Sequence, residues 1–373
     1  MEELLKIKTA FVEPGMIIGK DIYSSSDYLI AGVGTRLTDR MITRLKFYSI
    51  AEITIMNPEF LRSKQKMQTP VIRNKPVDNP ETSYVGHLKT SPEYREFTKN
   101  FYTSLISFKD HINDVVQNKA PLNTENMLAD VSKVLASCSE PNALLDMMMC
   151  IRNLDDATYV HSMNVGLICN LFAHWIRIPE KDVKTLTLAG LLHDIGKMMI
   201  PKEILTKPGK LTDEEFHIIQ EHPVLGYNIL KQQNVNYHVC MAALMHHERC
   251  DGHGYPGKLT AAKIDSYAKI VAIADVYDAL TAARCYRGPV CPLEVIGIFQ
   301  TEGLTQYDPK YLMVFLDRVM CSYLHYTVRL SNGEIGKIVL MNRNSLSRPV
   351  IAISDDRFID LREERNITIT EVV

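Results

Sequence analysis

Histidines and acids recur through the middle of the chain at the length of a helix with its connection. They are His161, the doublet His193-Asp194, His222, the doublet His246-His247, and Asp275, at intervals of 32, 29, 24 and 28 residues. Nine of the twelve histidines lie between His161 and His253. Each sits in or beside text of helical character, as in YVHSMNVG, LLHDIGK and IVAIADVYDAL. Asp275, flanked by AIA and VY, is expected to be buried, and an unpaired buried charge costs several kcal/mol, so it needs a cation. A helical bundle that delivers all these donors to one centre meets that need. Neighbours on a helix point about 100° apart, so two doublets predict two ions rather than one. Gly196 in HDIGK predicts close backbone approach. The isolated His174 in LFAHWI and His238 in NYHVC read as structural.

At 373 residues the chain exceeds one ordinary core, and its text changes character along its length. The fold class is mostly α, a helical bundle with a small α+β domain before it and a small β module after it. Residues 1–60 read as the α+β domain, with strands at KTAFV, IIGKDIYSS and AEITIM and a helix in TRLTDRMITRLKFYSI. Residues 61–90, polar and proline-bearing, read as a linker. Residues 91–320 are helical, with the chemistry in 155–320. Pro141 suits a first helical position, Thr212 and Glu215 form a capping box, and Pro223 places His222 at a junction. Residues 321–373 alternate as strands, with a hairpin at Ser331-Asn332-Gly333.

A formal charge of −2 and a pI near 6.6 give no basic field for polymeric nucleic acid or an anionic membrane. The opening residues lack a leader pattern and no run of 18 apolar residues occurs. Eight cysteines without a CxxC pair read as reduced thiols, and together these features predict a cytoplasmic protein.

HDIGK, IPKEILTKPGKLTDEEF, QEHPVLGYNIL, HHERCDGHGYPG and AKIVAIADVYDALTAARCYR, in that order, resemble the HD-GYP family of HD-domain metal-dependent phosphohydrolases. The resemblance implies an HD-type bundle with a two- or three-metal centre that hydrolyses cyclic di-GMP to pGpG or GMP in bacterial signalling. On that pattern Asp194 bridges two ions, with His161, His193 and Asp275 around one and His222, His246 and His247 around the other. The donor set suits divalent transition metals, Fe or Mn foremost, with Zn, Co and Ni also compatible. Two such ions about 3.5–4 Å apart would lower the pKa of a bridging water towards ~7, making a metal-bridging hydroxide the nucleophile.

Lys197 is expected to lie one turn after His193, within reach of a phosphate or leaving oxygen. The resemblance makes Arg284 and Arg287 phosphate clamps. The turn through Asp251, Gly252, Gly254 and Gly257 would present Tyr255 to stack on a guanine, with Glu248 and Asp251 orienting ligand histidines. Members with a third metal carry a glutamate about one turn before the first histidine. Here Ala157 and Asp156 stand four and five residues before His161, which favours two ions. Cys250, His253 and Cys285 replace a common tryptophan, serine and proline, and His253 could approach a metal. The implied partners are cyclic di-GMP, a second copy in a homodimer, and a GGDEF-type or other signalling partner at the GYP turn. A cyclic di-GMP receptor with little turnover, and an HD hydrolase of another (cyclic di)nucleotide, remain alternatives. The N-terminal VEPGMIIGKDIYSS and the terminal β text are also similar to segments found beside this family.

Overall fold

The computed structural model describes residues 4–56 with short interruptions, 88–139, 143–151, 157–207, 209–281, 292–342 and 345–373. They fall into two compact units, one within residues 1–77 and one from residue 78 onward. The expected linker lies almost wholly outside the described residues, although 88–90 within it are helical.

In the first unit β1 (Leu4–Lys8) pairs antiparallel with β4 (Glu52–Met56), Leu4 opposite Met56 and Lys8 opposite Glu52. A short second pair joins β2 (Ile22–Tyr23) to β3 (Leu29–Ala31). Alternation in EITIM turns Ile53 and Ile55 inward onto Ile18, Leu37, Ile42 and Leu45. Met41, Ile42 and Leu45 are helical, so the unit is α+β. Its first strand is LLKIK rather than KTAFV, because Thr9 leaves the ladder and donates its hydroxyl to the Ile50 carbonyl.

In the second unit α1 (Pro92–Asn118) starts at Ser91, whose hydroxyl accepts from the Tyr94 N–H, with Pro92 at the first turn where no donor is needed. Phe97, Phe101, Phe108, Ile112 and Val115 recur every three to four residues or multiples of that and bury one face. It is followed by α2 (Thr124–Leu135) and α3 (Ala143–Cys150); Pro141 lies outside the described residues. Next, α4 (Ala157–Trp175) is buried along most of its length and α5 (Glu180–Leu192) lies against it. The two approach closely because Gly190 faces α4, where an added Cβ would meet the Val165 carbonyl at 2.8 Å.

The predicted capping box opens α6 (Asp213–Ile219): Glu215 N–H donates to Thr212 Oγ1, and Thr212 N–H donates to Glu215 Oε2. His222 marks a junction, but as the first residue of α7 (His222–Gln232) rather than as a residue before it. Then come α8 (Tyr237–Met245), α9 (Ser266–Thr281), α10 (Pro292–Ile298), a π-turn at Phe299–Gly303 and α11 (Pro309–Ser322). No helix among the described residues is long and apolar enough to cross a membrane.

The chain closes in a five-stranded antiparallel sheet of β5 (Thr327–Leu330), β6 (Ile335–Leu340), β7 (Val350–Ser354), β8 (Arg357–Asp360) and β9 (Ile369–Val372), in spatial order β8-β7-β6-β5-β9. The Asn332-Gly333 turn joins its first hairpin, with Gly333 at φ +88°. The sheet builds no core of its own. Val328, Ile338, Ile351 and Ile359 belong to the same apolar cluster as the helices, and the Tyr326 hydroxyl bonds Asp146 of α3.

Candidate metal centre

The helices deliver the seven sequence-selected donors in two ways. His161 and Asp275 project from inside α4 and α9, whereas the others sit at helix ends. His193 caps the C-terminus of α5, Asp194 opens the tight turn Ile195–Met199, His222 starts α7, and His246 caps the C-terminus of α8 with His247 after it. Two C-terminal helix ends, of α5 and α8, thus meet the N-terminus of α7 at one place.

Each of these ends also fixes a ring. His193 Nδ1 donates to the Gly190 carbonyl at 2.7 Å, His222 Nδ1 to Ile219 at 2.7 Å, and His246 Nδ1 to Ala243 at 3.0 Å. A carbonyl can only accept, so in the neutral rings the proton is on Nδ1 and Nε2 carries a lone pair. His222 Nε2 and His246 Nε2 then face one another at 3.2 Å, lone pair against lone pair. His193 Nε2 and Asp194 Oδ1 are likewise buried with no well-aligned hydrogen-bond partner. Burial of acceptors against acceptors is costly, and a shared cation relieves it.

The donors separate into two sets. Donor atoms of His161, His193 and Asp275 lie within 4.8 Å of one another, and so do those of Asp194, His222, His246 and His247. Asp194 spans both. Its Oδ2 is 3.3 Å from His193 Nε2 and 3.7 Å from His161 Nε2, while Oδ1 is 3.2 Å from His222 Nε2 and 3.5 Å from His246 Nε2. Burial opposes the charge on Asp194, but the cationic groups around it, the Lys197 ammonium among them, outweigh it and hold the carboxyl well below its usual range.

Residues 142–311 match the family model described as HD domain. Slightly under half of the chain is therefore an HD domain. It is 37% identical over 214 residues to the cyclic di-GMP phosphodiesterase PA4108 of Pseudomonas aeruginosa, covering 57% of this chain and 51% of that protein. It is 42% identical over 163 residues to 3'3'-cGAMP-specific phosphodiesterase 1 of Vibrio cholerae, covering 43% and 38%. Against the cyclic di-GMP phosphodiesterase response regulator RpfG of Xanthomonas campestris pv. campestris the identity is 35% over 187 residues, covering 50% and 49%. The chain thus spans about half or less of the length of these relatives.

Around the donors the HD domain departs from several expectations. His246 and His247 share one set, as the resemblance implies and the doublet spacing alone does not, and Asp194 reaches the set of His193 through Oδ2 as well as its own. Helix α8 ends at Met245, so the backbone between the two rings is no longer regular helix and their centroids come within 4.1 Å. Glu248 does not orient a histidine. Its buried carboxylate accepts from the Gly257 and Leu259 N–H groups and so folds the glycine-rich turn back on itself. Asp251 accepts from the His253 N–H, and the His253 side chain is 81% exposed, outside both donor sets.

Gly254 packs where a Cβ would meet the Glu248 Cα at 2.4 Å, and this brings the Tyr255 ring into a stack on His247 with centroids 4.7 Å apart. Lys197 is on the turn after α5 rather than on the helix, and its Nζ donates to Asp194 Oδ2 at 2.5 Å. His174 is exposed and His238 pairs with Asp265 at 2.7 Å, both away from the centre. Arg284, Cys285 and Arg287 lie outside the described residues, as does Asp156.

Asp278 was not singled out in the sequence. It is buried in α9 and accepts from His161 Nδ1 at 2.7 Å and from Asn164 Nδ2 at 3.0 Å. The available signal was its spacing, three residues after Asp275 and on the same helix face.

These environments should give the metal-free HD domain a bell-shaped dependence of stability on pH. Burial disfavours the His161 cation, but Asp275 and Asp278 outweigh it and push the pKa up to about 9. Its stabilisation is complete below the unfolded value of about 6.5 and is lost as pH climbs. His222 and His247 are moved the other way by burial, with His246 adding repulsion at His247. Below about pH 6.5 the unfolded chain protonates these rings and the folded chain does not, so stability falls there too. Denaturant melts of chelated protein from pH 5 to 9.5 should peak near about pH 6.5; a monotonic rise with pH would contradict the assignment.

Proposed function

We propose that the chain is a metal-dependent phosphodiesterase that hydrolyses cyclic di-GMP to pGpG or GMP in the cytoplasm, with two divalent transition ions, Fe or Mn foremost. The observation that carries this reading is Asp194, one oxygen facing each histidine set. The relatives named as cyclic di-GMP phosphodiesterases support the substrate. Ions bound there would supply an activated water and neutralise the phosphodiester charge.

The chain's own residues do the rest. His161, His193 and Asp275 hold one ion, His222, His246 and His247 the other, and Asp194 both. Lys197, already against Asp194 with its side chain 23% exposed, can donate to a phosphate or leaving oxygen. Gly254 lets the turn approach closely, and Tyr255, braced on His247, offers its ring to a base. Arg284 and Arg287 clamp phosphate oxygens on this reading.

Protein loaded with Fe or Mn without oxygen and given cyclic di-GMP should yield pGpG or GMP. Tight binding without product would replace the hydrolase by a receptor, and faster cleavage of 3'3'-cGAMP in the same panel would move the substrate. Arg287→Ala should lower kcat/KM by roughly 5–150-fold, equivalent to about 1–3 kcal/mol, the scale of a lost hydrogen bond to charge. Unchanged kinetics would remove the clamp.

A further inference from the structure

The two donor sets differ in what stands behind them. In the His222, His246 and His247 set, two of the Nδ1 atoms lean on neutral backbone carbonyls, and the set's carboxylate is the shared Asp194. The other set has a carboxylate of its own, Asp275, and a second one behind His161, where Asp278 Oδ2 takes the Nδ1 proton at 2.7 Å. Asn164 holds the other Asp278 oxygen at 3.0 Å, and both residues are buried, so this acid cannot turn to water. A carboxylate behind an imidazole makes the far nitrogen a stronger donor and fixes its direction. Lys197 bonds the shared Asp194 and bears on both sets.

We propose that Asp278, oriented by Asn164, is a positioning residue that makes the His161–His193–Asp275 half the tighter of two unequal metal half-sites. The proposal rests on the two-ion reading above. The centre then fills in order, the Asp278-backed half first, and loses its ions in the reverse order. The singly loaded protein is a distinct state in which the half made of His222, His246 and His247 exchanges its ion.

The test is chelator competition on full-length protein loaded with Mn(II), counting metal per chain by elemental analysis and recording the far-UV spectrum. Wild type should release two ions in two separated steps. Asp278→Asn keeps an acceptor for the His161 proton but not the charge; it should move the later step by about 10–100-fold in chelator concentration and leave the earlier one in place. Asn164→Ser should shift the later step less, in the same direction, and decides the matter if Asp278→Asn loses its helical signal. His247→Ala should move the earlier step alone. A later step that stays put in both Asp278→Asn and Asn164→Ser, while wild type holds two ions, overturns the proposal. Two steps shifted equally overturn it as well. Wild type that retains fewer than two ions overturns the two-ion reading, and this inference with it.

Discussion

Asp194→Ala should abolish the proposed cyclic di-GMP hydrolysis and leave at most one firmly held ion per chain. Asp194 is the carboxylate whose two oxygens face different histidine sets, so its loss removes a ligand from both halves and the link that fixes their separation. Charge stabilisation by a paired centre is worth several kcal/mol, and each 1.4 kcal/mol is about tenfold, so the expected loss is roughly 10³-fold or more. The fold should survive. Lys197 loses its partner but is partly exposed and can turn its ammonium to water, and the imidazoles keep their backbone acceptors. Single-turnover product formation, with metal content and far-UV signal measured on the same sample, separates lost chemistry from lost structure. Asp194→Ala that holds two ions and turns over normally would end the bridging role.

The candidate donors could be picked out of the sequence because polar groups recur there at helix-length intervals, some of them among apolar neighbours. Asp275 is the clearest case, an acid with AIA on one side and VY on the other. What stayed hidden depends on where helices stop and what lies behind the ligands. ALMHHERC has no glycine or proline to mark the end of α8 at Met245, so the residues alone pointed to separate ions for His246 and His247, and only the family resemblance put them in one set. Asp278 and Asn164 read as ordinary polar positions on two helices 114 residues apart, and their partnership exists only once those helices pack. Glu248 looked like a ligand's neighbour and proved to be a loop former, since backbone N–H groups of the turn, which no side-chain pattern displays, became its partners. The terminal strands were readable by alternation, but alternation shows which face is buried and not what covers it. Val328 and Ile351 share the apolar cluster of the helices.

Gly196→Ala should damage the fold and the centre together. A Cβ there would lie 2.0 Å from the His222 carbonyl oxygen and 2.5 Å from the Gly226 nitrogen, both backbone atoms of α7 that no rotamer change can move. The turn carrying Asp194 and Lys197 must then separate from the start of α7 by an ångström or more. Overpacking a rigid contact costs about 1–3 kcal/mol and more when backbone must shift, so about 3 kcal/mol is expected. At roughly 2–4 °C per kcal/mol for a unit of this size, Tm should fall by about 6–12 °C. The same displacement carries His222 away from Asp194 Oδ1, now 3.2 Å distant, while His161, His193 and Asp275 stand on α4, α5 and α9, which the clash does not touch. The variant should therefore melt early and lose the ion of the His222 set before the other. Thermal melts with metal counts after mild chelation measure both effects. Normal melting would show that the two backbones have room to part, and equal loss of both ions would show that the turn and the helix end do not position one half of the centre independently of the other.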